Sequence, residues 1–308
     1  MKHHQQWITY KVPEKFHGYT VSEILRGPLL LSNRMINRLT RSRGIKLNGK
    51  ATWLKRNVME GDLLQVALRP REKADLEPCA VPFSTIYEDE DLLVVDKPAG
   101  IKVYPTLPNE KETLAHGIVY YWRKQGWEGK VRPVHRLDRN TSGLLLIAKS
   151  AYAHQLLDRE LRQGAIQRNY LAVVEGNMEL NKGTLDTPIG RDPNHPIRRM
   201  VMQKGDPALT HYQVLSRGKG ATLLDVRLDT GRTHQIRVHF SHLGYPLLGD
   251  SLYGGSTHQI QRQALHAYRL SFFHPLLGKK ITLTAPLPHD LLILTQELEL
   301  DVPVEIRQ

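Results

Sequence analysis

The sequence holds one cysteine, Cys79, in 308 residues. A single thiol closes no intramolecular disulfide and builds neither a Cys-rich zinc site nor an iron–sulfur cluster. The usage fits a reducing compartment, and a cytoplasmic location is expected. Also missing is any apolar run near the ~20 residues that a membrane span needs. The opening MKHHQQWITYKV has no apolar stretch of signal-peptide length, so neither secretion nor membrane insertion is expected. Repeats and low-complexity tracts are absent too, which excludes solenoids and fibrous arrays.

Acid is scarce in one place. The whole chain carries 43 Lys+Arg against 31 Asp+Glu, a formal charge of +12, which favours a polyanionic partner, nucleic acid before membrane. Residues 1–70 hold thirteen of those cations and only four acids, Glu14, Glu23, Glu60 and Asp62. Apolar residues make up 40% and charged residues 24%, ordinary globular usage in a chain long enough for two domains.

The first seventy residues carry explicit local signals. Thr20-Val21-Ser22-Glu23 has capping-box spacing and predicts a short helix. Ser32 caps a second helix in which Met35, Ile36 and Leu39 form an apolar stripe, while Arg34, Arg38 and Arg41 recur at i, i+4 and i+7. Gly44 stops it, and Ile45–Leu47, Asn48-Gly49 and Lys50–Thr52 read as strand, tight turn and strand, before another strand at Leu63–Leu68. An arginine row beside a hairpin bearing Lys46 and Lys50 suits recognition of a phosphate backbone; a solvated basic face is the blander reading. Gly44–Ala51 nearly spells a phosphate loop but lacks Ser/Thr at Ala51 and reads as a hairpin, so no nucleotide cofactor is expected. Residues 71–82 alternate charge and proline and read as a linker. Residues 83–308 form the second domain, an α+β fold around a mixed, mostly antiparallel sheet. Strands are expected near 92–96, 143–148, 170–175, 223–228 and 281–284, and helices near 112–125 and 151–163.

Three segments of this second block could carry chemistry. Asp138 lies in the polar loop His135-Arg136-Leu137-Asp138-Arg139 just before a core strand, held by a scaffold yet accessible, with two arginines to keep it ionised. An Asx-turn or a surface ion pair is the commoner explanation of such a residue. In Thr230–Phe240, Gly231 makes a turn, Thr233 can cap a helix running to about Leu243, and Arg237 rises from it where it could meet a carboxylate. The three histidines His234, His239 and His242 tempt a metal reading, but no His-Glu-x-x-His pattern accompanies them and no metal is expected; packing or RNA contact suits His239 and His242 better. Tyr170 stands at the start of a strand, where a base can stack on it or a core can absorb it. Asp192–Met200 borders either RNA or solvent.

Taken together, Glu88 to Gly100 with Lys97-Pro98-Ala99-Gly100, His135-Arg136-Leu137-Asp138, Gly143-Leu144-Leu145, Tyr170, Gly231 to His239, Leu248-Gly249-Asp250 with Leu252-Tyr253-Gly254, and Leu265-His266-Ala267 resemble the RluA family of RNA pseudouridine synthases over roughly residues 83–290. Residues 1–70 are similar to the S4-type RNA-binding module that precedes this catalytic domain in many members. The resemblance implies isomerisation of uridine to pseudouridine in structured RNA, ribosomal or transfer, without cofactor or metal. It makes Asp138 the catalytic aspartate and Arg237 its ion-pair partner, and packs Tyr170 against the uracil, where it can also assist removal of the C5 proton. Arg136, with His135 beside it, belongs to the segment that handles a flipped-out uridine. Tyr104 stands where many members carry histidine, and Arg168 where lysine is common, which bears on the RNA target. A monomer is expected. Two other readings remain: a catalytically idle RNA-binding or ribosome-assembly factor and, last, an N-glycosidase that releases uracil.

Affinity for structured RNA should fall by orders of magnitude between about 50 and about 200 mM salt, and weaken when residues 1–70 are removed. Fluorescence anisotropy checks both; undiminished binding by the truncated chain contradicts the role given to the first module.

Overall fold

A computed structural model describes residues 7–70 and 72–307; residues 1–6, Arg71 and Gln308, which fall at the ends of the expected domains and in the expected linker, lie outside the described residues. The first unit consists of β1 (Ile8–Lys11), α1 (Val21–Arg26), α2 (Asn33–Arg41), β2 (Ile45–Leu47), β3 (Lys50–Ala51) and β4 (Leu63–Val66), with an antiparallel sheet in the order β1-β4-β2-β3. Its helix starts follow from their caps. The Glu23 N–H donates to Thr20 Oγ1 at 3.3 Å while the Glu23 carboxylate accepts the Thr20 N–H at 2.7 Å, and Ser32 Oγ accepts the Met35 N–H at 3.4 Å. Helix α2 buries Met35, Ile36 and Leu39 and leaves Arg34, Arg38 and Arg41 exposed. The β2–β3 turn places Asn48 at φ 52° and Gly49 at φ 78°, the left-handed pair that a tight hairpin requires.

The second unit contributes β5 (Ser84–Glu88), β6 (Leu92–Lys97), α3 (Leu114–Lys124), β7 (Arg132–Pro133), β8 (Ser142–Ala148), α4 (Ala151–Arg162), β9 (Gln167–Glu175), β10 (Lys182–Leu185), β11 (Ile189–Arg191), β12 (Arg199–Val201), β13 (Thr210–Gly218), β14 (Ala221–Leu228), α5 (Gln235–His242), β15 (Leu265–Phe273), β16 (Lys280–Thr284) and α6 (His289–Glu297). The main sheet runs β10-β13-β14-β9-β15-β8-β6-β5, with β16 on β15 and β7 on β8; β11 and β12 form a separate hairpin. Among the described residues only the β15–β8 pair is parallel. This is the mixed, mostly antiparallel α+β architecture that the sequence suggests.

Strand alternation explains the layers. Leu93 and Val95 of β6 and Leu145 and Ile147 of β8 point to one face, against α3, while Leu92, Val94, Leu144, Leu146 and Ala148 point to the other, against α4. A strand covered on both sides reads as an unbroken apolar run, and β8 is buried along its whole length. Helix α5 packs on the α3 face through Ile236 and Phe240, beside Tyr170, Ala172 and Val174 of β9; α6 covers the reverse of that strand through Leu291 and Leu294 on Leu171 and Val173. Where β8 meets β15, a Cβ on Gly143 would stand 2.3 Å from the Ala267 carbonyl oxygen, so only glycine allows these backbones to close. Beside it Ser142 Oγ and His266 Nδ1 share a buried hydrogen bond of 3.0 Å. Among the described residues no helix is long and apolar enough to cross a membrane.

Residues 72–82 contain no helix or strand, yet they are strapped down rather than free. Ala74 and Leu76 pack on the second unit's core, and Glu72 pairs with Arg132 and, at 3.5 Å, with Arg38. The two units are joined directly as well. Tyr152 and Leu156 of α4 enter the first unit's core, Tyr152 Oη donates to the Leu29 carbonyl at 2.8 Å, and Gln155 Nε2 donates to the Leu30 carbonyl at 2.7 Å. Arg69 closes the joint with a two-pronged pair to Asp91 at 2.6 and 2.7 Å and a third bond to Glu90 at 2.7 Å.

Arg69→Met leaves Asp91, 3% exposed, without its counter-charge. Loss of a buried partner costs about 3–5 kcal/mol. Urea unfolding should show that drop; a midpoint unchanged from wild type would contradict the clamp.

Candidate active site

Asp138 projects from the loop between β7 and β8. The loop is fastened from behind by Lys97, fully buried at the end of β6, whose Nζ donates to the carbonyls of Pro98 at 2.8 Å, Ile101 at 3.0 Å and Arg139 at 3.0 Å. One cation thus ties the Lys97–Gly100 turn to the Asp138 loop. Burial, with Arg262 adding to it, pushes the Lys97 amine down to about 7 against the pull of Asp138 and Asp96. Arg139 Nε donates to the Gly100 carbonyl at 2.9 Å and braces the same contact instead of bonding to Asp138.

The cation beside Asp138 comes from α5. Arg237 gives Nε and Nη2 to the two oxygens of Asp250 at 2.6 and 2.8 Å, and Nη1 to Asp138 Oδ2 at 3.1 Å. The three side chains are 8%, 1% and 17% exposed for Arg237, Asp250 and Asp138. Burial opposes the charge on Arg237, but Asp250 and Asp138 outweigh it and raise its pKa. The helix begins differently from the sequence expectation: Thr233 does not cap it. His234 occupies the cap position with left-handed backbone, φ 59° and ψ 21°, and makes no side-chain cap bond. Gln235 holds the turn instead. Its Oε1 accepts from Thr230 Oγ1 at 2.8 Å and the Arg232 N–H at 2.9 Å, and its Nε2 donates to the Leu209 carbonyl at 3.0 Å.

Asp138 opens on a cleft of about 1230 Å³ whose lining includes Tyr104, Tyr170 and eight arginines against two carboxylates, Asp138 and Asp229. That balance suits a polyanion that must present one uncharged group to one carboxylate. Tyr170 is 4% exposed, and burial raises its phenol pKa, with Arg168 opposing and Asp138 adding. Arg136 is exposed at the rim, and Arg191 and Arg199 of the β11–β12 hairpin face the cleft with Pro196 and Ile197 from its tip.

A family described as RNA pseudouridylate synthase matches residues 91–242, and one described as RluD ribosomal pseudouridine synthase N-terminal domain matches residues 8–64. An uncharacterized RNA pseudouridine synthase, YhcT of Bacillus subtilis, is 38% identical over 91% of this chain and 93% of its own. Ribosomal large subunit pseudouridine synthase D of Nitrosomonas europaea is 35% identical over 94% and 88%. The chain belongs to the RNA pseudouridine synthase family. Among solved structures, human RNA pseudouridylate synthase domain containing 1 superposes with a TM-score of 0.57 at 26% identity, over 73% of this chain and 98% of that one. The enzyme therefore isomerises uridine to pseudouridine in RNA.

In this synthase the residues singled out from sequence are divided between the cleft, the first unit and the interior. Asp138, Arg237, Tyr170 and Arg136 meet at the cleft. His135 lines the same cleft beside Arg136, and its ring Nε2 accepts the Leu146 N–H at 3.2 Å, so it also braces β8. Arg34, Arg38 and Arg41 share the open face of α2; Lys46 lies over the Trp7 ring at 4.6 Å and Lys50 is exposed. His239 is buried between Thr210 Oγ1 and the Thr187 carbonyl, both at 2.9 Å, so it packs, whereas His242 is exposed. Among the described residues the one cluster spaced to hold a metal, Asp89, Asp91 and His274, lies at the interdomain joint, where Arg69 binds Asp91. Sequence reasoning gave no role to Asp250, Lys97, His234 or Tyr253; their motifs were visible, but their partners are distant in the chain.

Burial pushes His135 down to about 3 and His266 down to about 4. An unfolded histidine titrates near about 6.5. Below that pH the unfolded chain takes up protons that the folded chain refuses, so stability falls as pH drops from about 6.5 toward those values. The slope is roughly 1.4 kcal/mol per pH unit for each histidine. Urea unfolding at about pH 7 and about pH 5 checks this, and His266→Gln should flatten the dependence; a wild type equally stable at both contradicts it.

Proposed function

We propose that this synthase modifies large-subunit ribosomal RNA, that Asp138 is its catalytic carboxylate, and that it works without cofactor or metal, as a monomer in the cytoplasm. The observation that carries the reading is the linked set Asp138–Arg237–Asp250: a partly exposed carboxylate at the head of a basic cleft, ionically tied to a buried pair. Support for the target comes from relatives named as large-subunit synthases that span most of this chain.

The chemistry balances without a co-reactant. The N1–C1′ bond breaks, a C5–C1′ bond forms, N1 gains a proton and C5 loses one. A carboxylate can add to C1′ or C6, or take a proton from the sugar in an elimination route; each needs an ionised oxygen fixed against the nucleoside. Arg237 supplies that fixing. Tyr170 serves as the apolar wall against which the uracil packs. Stacked uridine hides its glycosidic bond, so the base must leave the helix at a cost of a few kcal/mol. Arg136 fills or guards the space left behind, and phosphate contacts around the cleft offset the cost. His135, in the cleft lining beside Arg136, belongs to the same uridine-handling segment and braces β8. Residues 1–70 form the S4-like RNA-binding module, 71–82 the connection and 83–308 the catalytic domain, with Arg34, Arg38, Arg41, Lys46 and Lys50 as phosphate contacts of the module. No observation favours the idle alternative.

Tritium release from uridine labelled at C5 in unmodified large-subunit ribosomal RNA tests this. Wild type should release tritium and a folded Asp138→Asn should release none; release confined to transfer RNA would move the target, and equal release by the variant would remove Asp138 from the chemistry.

A further inference from the structure

Among the described residues of the cleft lining His234 is the only non-glycine whose backbone is left-handed, and it makes no helix-capping bond in return. Such strain persists where the surroundings hold a side chain in a required place. The ring stands edge-on to Tyr253, centroids 5.7 Å apart, with Nδ1 2.9 Å from Tyr253 Oη. The hydrogen-bond network assigns the proton. Tyr253 Oη already accepts the Arg199 N–H at 2.9 Å, so the phenol hydrogen goes to His234 Nδ1. A neutral ring that accepts at Nδ1 carries its hydrogen on Nε2, and Nε2 faces Asp138 Oδ2 at 3.8 Å.

At that distance the contact is electrostatic, and the tautomer decides its sign. The N–H attracts the carboxylate; the other tautomer would turn a lone pair toward it and leave the Tyr253 hydrogen without an acceptor. Burial keeps the ring neutral by lowering its pKa, with Arg237 and Arg136 acting in the same direction and Asp138 and Asp250 opposing. Arg237 Nη1 bonds to the same oxygen, Oδ2, at 3.1 Å, and its guanidinium lies 4.9 Å over the Tyr253 ring. Both cleft donors therefore converge on Oδ2. Oδ1 receives no hydrogen bond among the described residues.

We propose that His234 is a positioning residue: Tyr253 fixes its ring in the Nε2–H form, and that N–H together with Arg237 occupies Oδ2 of Asp138, leaving Oδ1 as the oxygen that reacts with the nucleoside. The inference rests on the reading of Asp138 as the catalytic carboxylate.

Single-turnover tritium release from unmodified large-subunit ribosomal RNA, with RNA affinity measured alongside, tests it in wild type, Asp138→Asn, His234→Gln, His234→Asn and Tyr253→Phe. Glutamine reaches as far as Nε2 and keeps an N–H there; asparagine falls short but suits left-handed backbone better. The Gln variant should lose roughly tenfold in the chemical step and the Asn variant about a hundredfold, with RNA affinity unchanged. Tyr253→Phe should cost roughly tenfold in wild type and little in the His234→Gln background, where no tautomer needs fixing. An Asn variant as fast as the Gln variant would show that the backbone alone matters and overturn the inference. So would losses confined to RNA affinity, or an equal Tyr253→Phe cost in both backgrounds. If Asp138→Asn is inactive while every His234 variant keeps the wild-type rate, this inference fails alone; if Asp138→Asn stays active, the catalytic reading fails and takes it along.

Discussion

A guanidinium held almost out of water is the constraint around which the second unit is arranged. Removing a cation from solvent costs several kcal/mol unless its hydrogens are taken up by carboxylates in good geometry. Arg237 meets that condition with Asp250 and Asp138 together. Because Asp250 takes two of the bonds, Asp138 can remain partly exposed and still be oriented. The same cation dictates where α5 lies, since Ile236 and Phe240 fix the helix in the core and Arg237 must emerge between them at the two acids. Tyr253 then covers the guanidinium face, and the left-handed turn at His234 lets the helix begin at that spot.

The basic character of the chain is organised by α4. At one end of that helix Tyr152 and Gln155 bind the first unit, while Leu161 and Arg162 at the other end reach the cleft. Twelve helical residues span about 18 Å, so an RNA lying on the exposed arginines of α2 is within reach of the cleft. The strap of residues 72–82 and the Arg69 clamp keep that separation from varying freely.

What could be read from the sequence was whatever depends on neighbours in the chain. The Thr20–Glu23 box, the Ser32 cap, the Asn48-Gly49 turn and the apolar run of β8 are local, and each appears where the pattern puts it. Thr233 misled because a threonine before a helix is a good cap, whereas here the Gln235 side chain competes for the turn and the cap position passes to His234. Asp250 and Lys97 escaped for a different reason. Their partners stand 13 and 42 positions away, and no periodicity marks such a pair. Asp138, Arg237 and Tyr170 were legible only because their surrounding motifs resemble a family; from residue type alone a surface ion pair explained the carboxylate, and a half-buried core ring the tyrosine, as well. The 71–82 stretch reads as a tether by composition, but composition does not register Ala74 and Leu76 finding a core to pack on.

The sheet order has a consequence for biosynthesis. Strands β5, β6 and β8 make one half of the sheet and β9, β14, β13 and β10 the other, and β15, synthesised after all of them, lies between the halves. Asp138 belongs to the first half, Tyr170 and Arg237 to the second. Until residues 265–273 leave the ribosome and slide in beside Gly143, the carboxylate and the guanidinium sit on separate pieces of chain. A nascent synthase can close its basic first unit once Tyr152 and Leu156 have emerged, about a hundred residues before it can form the ion pair, so a product of translation truncated before β15 would carry the exposed arginines of α2 without the Asp138–Arg237 contact.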